Sequence, residues 1–139
     1  MGSAVIHSDI VLFLTTWFRA AIAARPEAYC QGVRVSNKET DLNKGPLVVI
    51  LDNSGPRLSV ISAERTIGIS VLAGTKDNPK PAVDLALMVE ALCSRLPGLQ
   101  PGNPVAAVTE TRGPFAVAEA STVARQYLTV DLIVTGTPL

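Results

Sequence analysis

The stretch Leu47–Leu72, LVVILDNSGPRLSVISAERTIGISVL, constrains the fold more than any other part of the chain. Two runs rich in Val and Ile flank the cluster Asp52-Asn53-Ser54-Gly55-Pro56. Branched apolar side chains suit a pleated, half-buried surface, and Asp, Asn, Gly and Pro interrupt it. The pattern predicts a long β-hairpin, the spine of a sheet, with its turn at the DNSGP cluster. Leu47 to Leu51 is apolar without a break, which calls for cover on both faces. In the return arm Ile61, Ala63, Ile67, Ile69 and Val71 share one parity. Ser62, Glu64, Thr66, Gly68 and Ser70 share the other, so one face is expected to be buried and one polar. Arg65 falls on the buried parity. An unbroken strand from Leu58 to Leu72 would span about 50 Å. Either a bulge near Ala63–Arg65 breaks it, or one end projects beyond the body.

The rest of the chain supplies helices and partner strands. Ser8-Asp9 reads as a helix start, because either side chain can accept hydrogen bonds from first-turn amides. Ile10, Phe13, Leu14, Trp17, Ala21 and Ile22 then form a stripe at helical spacing, closed by Arg25-Pro26. Val11, Leu12 and Phe18 lie off that stripe, so this helix needs a second cover, either another helix or a neighbouring subunit. Tyr29–Ser36 alternates as a half-exposed strand, with Val33 and Val35 on one parity. Asn37–Pro46, NKETDLNKGP, is a polar loop of a length that often carries function.

After a loop at Gly74–Pro79, Asn78 is the expected cap of a second helix with Pro79 or Pro81 in its first turn. Its stripe is Leu85, Met88, Val89, Leu92 and Leu96, stopped by Pro97-Gly98, with Arg95 set against the C-terminal dipole. Pro97–Pro104 is a Pro/Gly-rich connection. Val105–Thr111 reads as a strand, and Gly113–Val117 as a turn into a short one. In the last strand Leu128, Val130, Leu132 and Val134 alternate with polar or half-exposed positions. The order α-β-β-β-α-β-β predicts an α+β domain over residues 1–139. It should hold a mainly antiparallel or mixed sheet of about five strands, with two helices on one side.

Composition narrows the function. The chain has 139 residues, enough to bury about 68–70% of its unfolded surface without staples. Charged residues make up 17%, below the roughly 25% usual for globular domains, which hints that other subunits cover part of the surface. Twelve basic residues balance twelve acidic ones, so there is no basic field to grip nucleic acid. The apolar run Ile10–Phe18 is too short to span a bilayer and lacks the basic lead of a signal peptide. Cys30 and Cys93 read as reduced, buried small hydrophobes of a cytoplasmic protein.

Chemistry is hard to find. His7 is the one histidine, set ahead of the first helix where a solvated, fraying residue is expected. Neither cysteine has a histidine in a recognisable motif, and zinc would need more ligands. Asp52 sits where its side chain most often bonds nearby backbone, and Glu64 and Arg65 could pair with each other. Gly68 within a strand signals a bulge or a close backbone approach. We expect no catalytic, cofactor-binding or metal residues and no enzymatic activity.

Several phrases in combination resemble the tail terminator (tail completion) proteins of long-tailed phages, the lambda-type minor tail proteins, especially those of actinobacterial phages. They are the helix with Trp17-Phe18, then VRVSNKETDLNKGPLVVILDNSGP, and the strand Thr66–Val71 entering Ala73-Gly74. The helix with Asp84-Leu85-Ala86-Leu87 and the closing Tyr127–Gly136 complete the set, which covers nearly the whole chain. The resemblance implies a virion protein at the head-proximal end of the tail, assembled in the host cytoplasm. It implies a hexameric ring that caps the tail tube protein, stops polymerisation and offers a docking face to the head–tail connector protein. DNA would pass through the lumen without specific binding, and no membrane is involved. By this analogy Lys38, Glu39, Asp41 and Lys44 of the polar loop, and Asp52, Asn53, Arg57, Glu64 and Arg65 of the hairpin, reach the tube or the adjacent subunit. Phe18 joins them as an interface residue. The alternatives are another connector ring of the virion, or a small cytoplasmic ligand-binding domain or enzyme.

Overall fold

The structure, a computed structural model, describes residues 4–139. Its centre is a five-stranded sheet. The strands are β2 (Arg34–Ser36), β3 (Leu47–Asp52), β4 (Ser62–Ala73), β5 (Val105–Val117) and β6 (Ala124–Thr135), in the order β2-β3-β4-β6-β5. β2 and β3 run parallel and the other neighbours antiparallel, so the sheet is mixed and the fold is α+β. A two-residue pair, β1 (Val5–Ile6) with β7 (Thr137–Pro138), ties the two ends of the described chain together.

Both helices, α1 (Ile10–Ala23) and α2 (Lys80–Cys93), pack on one face of the sheet. That face carries Val48, Ile50, Ile67, Ile69, Val71, Leu128, Val130, Leu132 and Val134, the alternating sets visible in the sequence. Asp9 caps α1, its carboxylate accepting the Leu12 amide at 3.1 Å. The residues of α1 that reach the core are Ile10, Leu14, Phe18 and Ile22, four apart. Phe18 is therefore a correction: it is 0% exposed and sits between helix and sheet, with the Trp17 ring edge-on at 5.0 Å. Four-residue steps follow the i, i+4 ridge, and that ridge, not the wider stripe through Phe13 and Trp17, faces the sheet. Leu12 stays exposed on the opposite side. α2 begins at Lys80 after Pro79, with no side-chain cap from Asn78, and Pro81 lies in its first turn. Leu96 is buried just past its end and Met88 is half-buried, while Arg95 follows the helix instead of closing its last turn.

Other boundaries shift as well. Of Tyr29–Ser36 only Arg34–Ser36 is strand, because a 3-10 turn takes Ala28–Cys30. The turn expected at Gly113–Val117 is absorbed into β5, which runs through Pro114 with a register shift between Arg112 and Phe115. Two further shifts, at Val105/Ala107 and Val108/Glu110, distort this edge strand. Leu47 to Ile50 are buried as expected, but Leu51 is exposed.

The hairpin itself differs most from expectation. The chain does not reverse at Asp52–Pro56. Beyond Asp52↔Ile67 the two arms stay joined: the Asn53 amide donates to Thr66 O, Thr66 to Ser54 O, and Glu64 to Pro56 O, at 2.8–3.0 Å, and Arg57 bridges Ala63. From Asp52 to Arg57 the first arm takes five steps while the second takes four, from Ile67 to Ala63. The irregularity thus lies in the DNSGP arm and not at Ala63–Arg65. Ser54 absorbs it at φ +66°, its amide held by the Asp52 carboxylate at 2.6 Å. Gly55 lies so close to the Glu64 carbonyl that a Cβ would not fit. The true reversal is Leu58-Ser59-Val60-Ile61.

Candidate functional site

The residues expected to form an interface fall into two groups, and β3 separates them. Lys38, Glu39, Asp41 and Lys44 lie in the loop that enters β3, and Asp52, Asn53 and Arg57 lie where the chain leaves it. Six strand residues span about 20 Å. The two groups are therefore at opposite ends of the sheet and make no common site.

The 37–46 loop is a strap folded over the sheet face that the helices leave open. Arg34 organises it from β2. Its guanidinium donates to the carbonyls of Thr40 at 3.0 Å, Asp41 at 2.9 Å and Gly45 at 2.9 Å. Planar, multi-donor geometry lets one arginine satisfy three backbone acceptors that no secondary structure uses. Asp41 holds φ +51° and pairs with Lys44 at 3.8 Å. Leu42 and Val123 close over Leu47, Val49 and Leu72, the second cover that the apolar β3 requires. Glu39 makes an ion pair with Arg125 of β6, and Glu119 holds the same guanidinium through Nε at 2.7 Å. The hydrogen bond from Arg125, followed by the Ser121 amide, keeps the Glu119 carboxyl below the usual carboxylate range. Lys38, Glu39, Asp41 and Lys44 expose their side chains to solvent.

At the other end the paired arms carry a polar flank and an apolar tip. Arg65 pairs with Asp52 at 4.0 Å and donates to Gly55 O at 3.2 Å and to its neighbour's carbonyl, Glu64 O, at 2.8 Å. The expected Glu64–Arg65 pair is not formed. Arg57 donates to Val60 O at 2.9 Å. The Ser59 and Ser62 hydroxyls bond at 2.7 Å, and the Leu58 and Ser59 amides both donate to Ser62 O. The tip is thus braced, yet Leu58, Val60 and Ile61 remain 52%, 61% and 49% exposed, beside Ile6 at 60%. His7 is not the free terminal residue expected. It lies against this arm with both ring nitrogens shielded and without a hydrogen-bond partner. Burial, then the charges of Arg57 and Arg65, lower its pKa from 6.5.

Between the two ends, the open face holds a polar network that sequence reasoning missed. Asp131 is 6% exposed, and accepts from Thr66 Oγ1 at 2.8 Å and from Arg112 at 3.2 Å. Arg112 also pairs with Glu110 at 2.7 Å. The Tyr127 ring lies over Gly68 with its edge toward Phe115, at 5.8 Å between centroids. The signal was the parity of β6: Tyr127 and Asp131 sit on the polar side of the clearest strand.

Among the described residues no three of His, Cys, Asp and Glu gather to hold a metal, and no helix is long and apolar enough to cross a membrane. Both cysteines are free and buried. No family model matches the chain, and no curated protein matches it either.

Proposed function

We propose that the protein is a structural component of a phage virion, a tail terminator whose copies form a ring, hexameric by analogy. The ring caps the tail tube, stops its growth and presents a face to the head–tail connector. The observation that carries this reading is the braced hairpin arm. Its reversal, Leu58–Ile61, lies beyond the last β4–β6 pair, Ser62↔Thr135, beside the β1–β7 pair, and its apolar side chains stay half exposed. Exposed apolar side chains on a rigid support suit a surface built to meet another protein. The even charge balance suits a lumen through which DNA slides without being held. The strap at the opposite end of β3 offers a second, polar surface, so one subunit can face different neighbours at its two ends.

The test is the phenotype of the phage that encodes the chain. With this reading frame disrupted, tails are expected to grow overlong and to remain unjoined to heads in negative-stain images. Tails of normal length beside tailless heads would assign the chain to a connector ring instead. Deleting Glu39–Asn43 should disturb tail length or head joining, and unchanged particles would remove the strap from the assembly surface.

A further inference from the structure

The surface carries an apolar knob on the hairpin and an apolar groove on the helical layer. The knob is the braced tip, Leu58, Val60 and Ile61, at the end of the sheet. The groove runs along the outer side of the helical layer, lined by Phe13, Thr16, Trp17, Ala20 and Ala21 of α1, with Arg95 at its wall. Small residues at Ala20 and Ala21 keep its floor low beside the Trp17 ring. One pair of opposite charges is available, with Arg57 beside the tip turned back onto the Val60 and Val5 carbonyls. Among the described residues, neither Glu64 on the arm nor Arg95 in the groove takes part in an ion pair.

Extension of the sheet is the poorer route to association. β5 offers a free edge, but three register shifts and Pro114 break its ladder, and β2 at the other edge has three residues. Such edges resist strand addition. Side-chain surfaces are left to carry any contact between copies.

We propose that the hairpin tip of one copy seats in the α1 groove of a second copy, with the Glu64 carboxylate against the Arg95 guanidinium. This rests on the ring reading and gives it its subunit contact. A knob and a groove at different places on one chain make a heterologous contact, so each copy joins its neighbour head to tail and the series can close.

Cysteine pairing on the full-length chain tests this directly, because Ser59 and Thr16 are both exposed and the native thiols are buried. S59C protein mixed with T16C protein at high concentration and mildly oxidised should give one cross-linked pair. Either variant alone should give none, and the chain carrying both should give a ladder or a closed ring. In sedimentation, E64R and R95E should each weaken self-association about tenfold, a typical cost for one opposed charge pair, and the double variant should recover it. S59C cross-linking to itself would replace the head-to-tail contact with a symmetric one. Absence of the S59C–T16C product, whether the copies associate by other surfaces or not at all, overturns the proposal. Overlong tails in the disrupted phage together with a failed cross-link would leave the terminator reading standing and remove only this contact.

Discussion

Gly68 occupies a strand position where alanine should be better, and the Tyr127 ring reverses that expectation. Its φ is not in the left-handed region, so replacing glycine with alanine there should stabilise by roughly 0.5–1 kcal/mol through lost backbone freedom in the unfolded chain. But a Cβ at Gly68 would collide with the Tyr127 hydroxyl and lie 3.2 Å from Tyr127 Cζ and 3.1 Å from Asn53 Nδ2. Overpacking of this kind costs about 1–3 kcal/mol. Moving the ring away would give up its edge-type contact with Phe115, at 5.8 Å between centroids. Gly68→Ala is therefore expected to destabilise by about 1–2 kcal/mol, a fall of roughly 4–8 °C in Tm for a chain of this size. Tyr127→Phe alone should be near neutral, since the hydroxyl makes no hydrogen bond among the described residues. In the Tyr127→Phe background the alanine should cost about 1 kcal/mol less, because the worst contact is gone. Urea unfolding followed by the fluorescence of Trp17, the one tryptophan, gives all four corners of the cycle. A stabilised Gly68→Ala protein, or the same loss in both backgrounds, would refute the argument.

Phe18→Ala should cost about 3–5 kcal/mol in urea unfolding of the isolated chain, and an unchanged midpoint would return Phe18 to the surface. Arg34→Ala should free the strap, so that trypsin cuts at Lys38 and Lys44 much faster than in the parent. Arg34→Lys should behave almost as badly, since an ammonium cannot span three carbonyls. The depressed Glu119 pKa contributes stability that is fully present above the ordinary value of 4.5 and is lost as pH falls through the folded value. Glu119→Gln should therefore flatten the decline of the urea midpoint below pH 4.5, and a decline of unchanged steepness would count against the Arg125 clasp. Burial pushes the Cys93 thiol up to about 12 and raises Cys30 as well, so neither should react with a thiol reagent at pH 8 until denaturant is added. Fast labelling of one equivalent in native buffer would contradict their burial.

What could be read from the sequence was local and periodic. Alternation over Leu128–Val134 placed β6, the apolar run Leu47 to Leu51 placed a strand covered on both faces as far as Ile50, and Ser8-Asp9 marked the start of α1, with Asp9 the cap. Phe18 was misplaced because α1 is apolar over so wide an arc that spacing alone does not choose the face; the sheet chooses it. The hairpin turn was misplaced because Asp, Asn, Gly and Pro serve a bulge as well as a turn. There the deciding contacts are the Ser54 amide on Asp52 and the approach of Gly55 to Glu64. The strap was legible as a loop, but its anchor was not. Arg34 holds carbonyls six to eleven residues away, and Arg125 holds a carboxylate eighty-six residues away, and neither contact leaves a pattern in the sequence. The polar network at Asp131 joins β4, β5 and β6 and exists only once the strands are in register.

The small β1–β7 pair has a practical consequence. Val5 faces Pro138, the Leu139 amide donates to Ala4 O at 3.0 Å, and the Gly136 amide donates to Ile61 O at 2.8 Å. Both ends of the described chain thus leave the body side by side, next to the hairpin tip. A short peptide joining them would turn the backbone into a circle at little cost, and new ends could be opened in the irregular stretch 97–104 with every strand pairing kept. The same adjacency means that a purification tag added after Leu139 starts close to the hairpin arm, three residues on from the Gly136 amide that Ile61 O accepts. Association measured on tagged protein would read weak for a reason that lies in the tag, so cleavage of the tag belongs before any ring is counted.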